Sequence, residues 1–137
     1  MTLQIDTVEQ TYANLAASLT SLASSILTLT ETGGTVTTDG TEQDIYLNNA
    51  PSALYSPRML KLDCTNHTAG ETIVVRIYYR VESGGAMVME IEDTHAGAID
   101  PLLLNIDLKD NRYGVQITIE KTGGANRAYE WEMTYKI

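Results

Sequence analysis

A mainly β fold fronted by one N-terminal helix is predicted by three features of this sequence. From residue 1 to residue 29 the apolar residues step by four and three, the period of one helical stripe. From residue 35 to the end they alternate in short runs, the period of strands. Between those runs stand Gly, Pro, Asn and Asp at the spacing of turns. The expected architecture is a coiled-coil-like helix followed by an antiparallel eight-stranded β-sandwich of jelly-roll-like topology. Residues 1–32 are expected to form an oligomerisation or anchoring helix, and residues 33–137 the β-sandwich domain.

The helical stripe is narrow and unbroken. Ile5, Tyr12, Leu19 and Ile26 take heptad position a, and Met1, Val8, Leu15, Leu22 and Leu29 take position d. Such a seam is what helices use to wrap around copies of themselves. Its flanks are small and nearly uncharged: Glu9, Ala16, Ala23 and Thr30 on one side, Gln4, Thr11, Ser18 and Ser25 on the other. A two-stranded coiled coil places Glu and Lys there, so a broader contact is expected, either a bundle of three or more helices or docking on another protein. Asp6 with Glu9 reads as a capping box starting the helix at Asp6 or Thr7. Thr30, Thr32 and the pair Gly33-Gly34 are expected to end it. The many Ser and Thr residues give weak helix propensity, so stability has to come from packing, on sister chains or a host surface or, as the alternative, back onto its own β domain.

The strands follow in order. Thr35–Thr38 is short and Thr-rich. Gln43–Leu47 carries Ile45 and Leu47. Arg58–Thr65 puts Leu60, Leu62 and Cys64 on one face. Glu71–Val81 is the strongest, with Ile73, Val75, Ile77 and Tyr79 opposite Arg76, Tyr78 and Arg80. Ser83-Gly84-Gly85 is hairpin chemistry. It leads into Ala86–Glu92, where Met87, Met89 and Ile91 share a face. Ile99–Leu108 alternates through Leu102, Leu104 and Ile106. The last two rows are Tyr113, Val115, Ile117 and Ile119, and then Tyr129, Trp131, Met133 and Tyr135. No second helix is long enough for a crossover between parallel strands.

Composition narrows the function. The net charge is −9, which argues against nucleic-acid binding and against docking on anionic membranes. No secretory signal is expected from the N-terminal residues. The uncharged run from Gln10 to Thr30 is too rich in Ser and Thr for a membrane span. Cys64 is the only cysteine, which excludes an intrachain disulfide and a cysteine zinc site. It is expected to be a buried, inert thiol.

No catalytic, cofactor-binding or metal-binding constellation is expected. His67 sits in the turn Thr65–Gly70 and reads as exposed. His95 stands near Glu90, Glu92, Asp93 and Asp100, but the spacing matches no defined ion site. Glu90 and Glu92 share a strand face that reads as solvated, no nucleophile elbow is present, and the acidic loop Asp107–Asn111 lacks the features of a calcium loop. The residues that do suggest a role are the seam itself (Ile5, Val8, Tyr12, Leu15, Leu19, Leu22, Ile26 and Leu29) and a second candidate interface at Arg76, Tyr78 and Arg80, since Tyr and Arg favour protein contacts.

A Ser/Thr/Ala-rich helix with the seam Ile5–Leu29, leading through Gly33-Gly34 and Thr35-Val36-Thr37-Thr38 into a small β domain, resembles the accessory virion proteins of tailed viruses. These are head-decoration proteins, head fibres and short spikes. The resemblance is one of architecture over the whole chain. It implies a non-enzymatic, virion-surface structural protein, homotrimeric, whose partners are copies of itself and a capsid or other virion protein. The alternative expectation is a host-surface or carbohydrate-binding β-sandwich module carried on an oligomeric stalk.

Overall fold

In the computed structural model the described residues are 2–25, 28–51 and 55–137. They form one helix, α1 (Thr2–Ser25), and eight strands: β1 (Leu29–Thr37), β2 (Glu42–Asn48), β3 (Ser56–Asp63), β4 (Thr72–Arg80), β5 (Met87–Ala96), β6 (Leu103–Asp107), β7 (Val115–Gly123) and β8 (Ala128–Lys136). Every pairing is antiparallel. One sheet has the order β1-β8-β3-β6 and the other β2-β7-β4-β5. Each of the eight strands expected from the alternation is present, and the chain is mainly β as predicted.

The inward rows of both sheets supply one buried cluster. Leu60 and Leu62 of β3 meet Met133 and Trp131 across the β3–β8 ladder, and Val75 and Ile77 of β4 meet Ile119 and Ile117 across β4–β7. Burying such a row removes it from water at roughly 25 cal/mol per Å² of apolar surface. The sequence has no Phe, so the aromatic part of this core carries hydroxyls that need partners. The Tyr46 and Tyr55 hydroxyls bond each other at 2.7 Å, and Tyr79 Oη accepts the Lys109 backbone N–H at 2.8 Å. Burial raises the Tyr55 phenol above its ordinary range, so this pair stays un-ionised. Cys64 is fully buried, and burial pushes its thiol up to about 11.

Four details differ from the expectation. The helix begins at Thr2, so Asp6 and Glu9 lie inside it rather than forming a capping box at its start. Its described span runs to Ser25, and Leu29 opens β1 opposite Lys136 instead of closing the seam. Gly33-Gly34 is not a break but the middle of β1. A Cβ on Gly33 would lie 2.7 Å from the Trp131 carbonyl oxygen, and Gly34 gives its place to the Trp131 indole at 3.5 Å. A glycine pair inside a strand therefore marks a close approach here, not a turn. Finally, the ladder runs Ile77↔Ile91 and then Tyr78↔Met89, which leaves Glu90 as a bulge in β5. The bulge reverses the alternation: Ile91 and Val88 fall opposite inward-facing Ile77 and Tyr79, and Met89 and Met87 opposite outward-facing Tyr78 and Arg80.

Candidate functional site

Three places hold chemistry or surface that the core does not consume. The first is α1. Two of its Thr residues bond back to carbonyls one turn earlier, Thr11 Oγ1 to Thr7 O at 2.9 Å and Thr20 Oγ1 to Ala16 O at 3.0 Å. Gln10 and Asn14 bond across one turn. None of this anchors the helix to the sheets, and every residue from Thr7 to Leu22 is exposed. The predicted seam residues Val8, Tyr12, Leu15, Leu19 and Leu22 share one stripe and are 49 to 70% exposed. Leu29 is exposed too, but at the start of β1. The side chain of Ile5, and Ile26 altogether, lie outside the described residues. Among the described residues, no helix is long and apolar enough to cross a membrane.

The second place is the outer face of the sheet β2-β7-β4-β5, where the candidate interface residues lie. Alternation along β4 puts Arg76, Tyr78 and Arg80 on this face, as predicted, but their polar ends are already engaged. Arg76 Nε contacts Glu92 Oε2 at 2.7 Å and Nη1 contacts Glu120 Oε2 at 2.6 Å, with Glu42 Oε2 at 3.5 Å. The Glu92 and Glu120 carboxylates hold the guanidinium well above its ordinary pKa. Tyr78 Oη and Thr118 Oγ1 both donate to Glu42 Oε1, at 2.6 and 2.7 Å, and lower that carboxyl's pKa. Arg80 Nη2 donates to Asn49 Oδ1 at 2.5 Å, and its Nη1 to the Asn49 carbonyl. The bulge separates the two carboxylates expected to share one solvated strand face: Glu90 accepts from Lys109 while Glu92 accepts from Arg76. An open groove of about 420 Å³ beside this network is lined by Glu42, Asp44, Tyr78, Gln116 and Thr118.

The third place is a buried polar cluster at one end of the core, which sequence reasoning missed. Glu71, just before β4, is 3% exposed, and Lys121 of β7 points inward beside it. Lys121 Nζ donates to Glu71 Oε2 at 2.9 Å and to Tyr129 Oη at 2.8 Å. Arg127 Nε donates to Glu71 Oε1 at 2.7 Å, and the Thr68 N–H to Oε2 at 3.0 Å. His67, expected to be exposed, is buried. Its Nε2 faces the Gly97 carbonyl at 2.9 Å, which only accepts, so Nε2 carries the hydrogen. Nδ1 lies 3.0 Å from Tyr129 Oη, and in the neutral ring it accepts the phenol's hydrogen, while that oxygen accepts from Lys121. Gly124 makes room for Glu71: its φ is +83°, and a Cβ there would lie 2.5 Å from Glu71 Cγ. A signal existed, since Lys121 continues the inward row Val115, Ile117, Ile119 in step.

The Lys121 hydrogen bond, opposed by burial and aided by Arg127, lowers the Glu71 carboxyl from its ordinary 4.5 to about 2. A carboxyl depressed in the folded state stabilises it above the unfolded value, and that contribution disappears as pH falls towards the folded value. Thermal stability is therefore expected to decline as pH drops from about 4.5 to about 2. Glu71→Gln should flatten that decline without abolishing it, because Glu42, Asp39 and Asp63 are lowered as well. Melting curves across this range check it, and equal slopes for both proteins would contradict it.

Among the described residues no group of three or more His, Cys, Asp and Glu is placed to hold a metal ion. No protein-family model matches the chain, and no curated protein matches it. The solved structures that match it include two with the following likeness. One comes from Bacillus endospore appendages, which form a family of disulfide-linked pili. It is 21% identical, with 81% of this chain and 88% of that chain covered and a TM-score of 0.43. The other is VP2 of infectious bursal disease virus in its subviral particle. It is 12% identical, with 82% of this chain and 32% of that chain covered and a TM-score of 0.45.

Proposed function

We propose that this chain is a non-enzymatic structural protein of a virion, a homotrimeric capsid-decoration or fibre/spike protein. The observation that carries the reading is the exposed apolar stripe of α1. Val8, Tyr12, Leu15, Leu19 and Leu22 lie on one face of a helix that none of its own strands covers from Thr7 to Leu22. A stripe left in water has unrealised burial energy of roughly 1.5–3 kcal/mol per large side chain. The small residues flanking it suit a three-helix bundle. In this reading α1 joins the copies and the eight strands, from Leu29 onward, form the displayed domain.

The β domain is read as a jelly-roll sandwich. What supports this is the nesting of its pairs, β1 with β8, β2 with β7, β3 with β6 and β4 with β5, as when one long hairpin is rolled up. The Arg76 guanidinium, the Tyr78 hydroxyl and both Arg80 Nη groups are engaged within the chain, while the buried Arg80 Nε has no partner among the described residues; this engagement supports reading the face as a display surface before a subunit contact. The capsid surface is the other partner. Sedimentation of the purified protein tests the reading: dilute solutions should give three times the chain mass, and a single-chain mass would overturn it.

One observation favours a second reading, a host-surface or carbohydrate-binding module on the same stalk. The groove at Glu42, Asp44, Tyr78, Gln116 and Thr118 combines an aromatic ring with carboxylates and an amide. Binding to a glycan panel, weakened by Tyr78→Ala, would select it.

A further inference from the structure

Four strands lie at sheet edges, and three of them carry features that discourage pairing. β6 has only five residues. β2 is bulged between Asp44 and Tyr46. β5 is bulged at Glu90 and carries Glu90, Glu92 and Asp93. Short length, bulges and charge are the ordinary ways of closing an edge. β1 has none of them. Its nine residues stay in continuous register with β8, and Glu31 is its only charged residue. Among the described residues, no strand lies beyond it.

The direction of its free groups follows from the ladder. Thr28 and Ile137 exchange both backbone bonds, at 2.7 and 3.1 Å, and the Thr38 N–H bonds Arg127 O at 3.0 Å. Even-numbered residues of β1 are therefore the ones bonded to β8. The N–H and C=O of Leu29, Glu31, Gly33, Thr35 and Thr37 point to the open edge. Of these, the Thr37 carbonyl accepts from Gln43 Nε2.

We infer that this edge is an interaction surface for a second copy of the chain, pairing β1 with β1 antiparallel about a two-fold axis at Gly33. The strand is self-complementary in that register. Gly33 meets Gly33, and Glu31 meets Thr35 of the other copy instead of another carboxylate. On the inner face Thr30 meets Val36 and Thr32 meets Gly34. The bare glycine centre leaves no outward side chain to obstruct the approach. The two four-stranded sheets then become one continuous sheet across the axis. This pairing does not depend on α1, and it would link assemblies that α1 has already built.

The test uses the full chain with Leu19→Asp and Leu22→Asp, which removes the helix seam, followed by sedimentation velocity over a range of concentrations. A concentration-dependent dimer is expected. Thr35→Pro deletes an edge-facing N–H without touching the β8 ladder and should abolish the dimer. The register is tested by charge. Thr35→Glu faces Glu31 of the other copy at two symmetric sites and should weaken dimerisation by roughly tenfold, whereas Thr35→Lys should strengthen it. The inference is overturned if the seam variant is a monomer at every concentration, or if its dimer ignores all three Thr35 substitutions while their melting curves show the fold intact. A seam variant that keeps the wild-type mass contradicts the helix reading instead.

Discussion

Leu19→Asp together with Leu22→Asp should reduce the protein to single chains in dilute solution while leaving both sheets folded. Both leucines sit in the middle of the exposed stripe, so each copy in a bundle would bring two carboxylates into an apolar seam. Burying an unpaired carboxylate costs several kcal/mol, and the change is repeated in every copy. That exceeds what a Ser- and Thr-rich helix can recover from its own propensity. The isolated helix should then lose helicity, seen as a drop in helical circular dichroism alongside the lower sedimenting mass. The thermal transition of the strands should stay within about 0.5 kcal/mol of wild type, the scale of surface substitutions. If the β domain unfolds too, α1 belongs to its core. If the mass does not change, the stripe is not where copies meet.

Lys121→Met is expected to be the most damaging single substitution inside the β domain. Methionine fills the apolar part of the site but leaves the Glu71 carboxylate without its buried cation. It also leaves the Tyr129 oxygen without the Lys121 donor. Removing one partner of a buried ion pair costs about 3 kcal/mol, because the other charge remains. The shift should appear in urea unfolding as a lower midpoint with an unchanged slope. Adding Glu71→Gln should restore part of the loss, since Arg127 is 39% exposed and can return to water. A Lys121→Met protein within about 0.5 kcal/mol of wild type would show that water reaches Glu71 and solvates it.

The strands were legible because alternation is a direct record of one face being buried. The rows Ile73–Tyr79, Val115–Ile119 and Tyr129–Tyr135 all turn inward as their spacing requires. What escaped depends on contacts distant in sequence. Gly33-Gly34 reads as a stop signal until Trp131, about a hundred positions later, is seen lying against it. The β5 bulge is invisible locally, because Met87, Met89 and Ile91 keep a regular period in sequence while the extra residue Glu90 turns Ile91 to the opposite face from Met87 and Met89. His67 has turn residues on both sides, and only Tyr129 and the Gly97 carbonyl make its burial tolerable. Of the candidate site, the stripe on α1 was readable from spacing alone. The satisfaction of Arg76 by Glu92 and Glu120 was not, because it joins three strands.

The central claim is that the α1 stripe is where copies of this chain meet. Leu15→Cys under mild oxidation tests it most directly, with Ala17→Cys as a control on the opposite side of the helix. Cys64 is fully buried and its thiol is pushed up to about 11, so it stays out of the reaction. Disulfide-linked dimers of Leu15→Cys and a persisting single chain for Ala17→Cys are expected on non-reducing gels. Equal cross-linking at both positions, or none at Leu15→Cys, would contradict it.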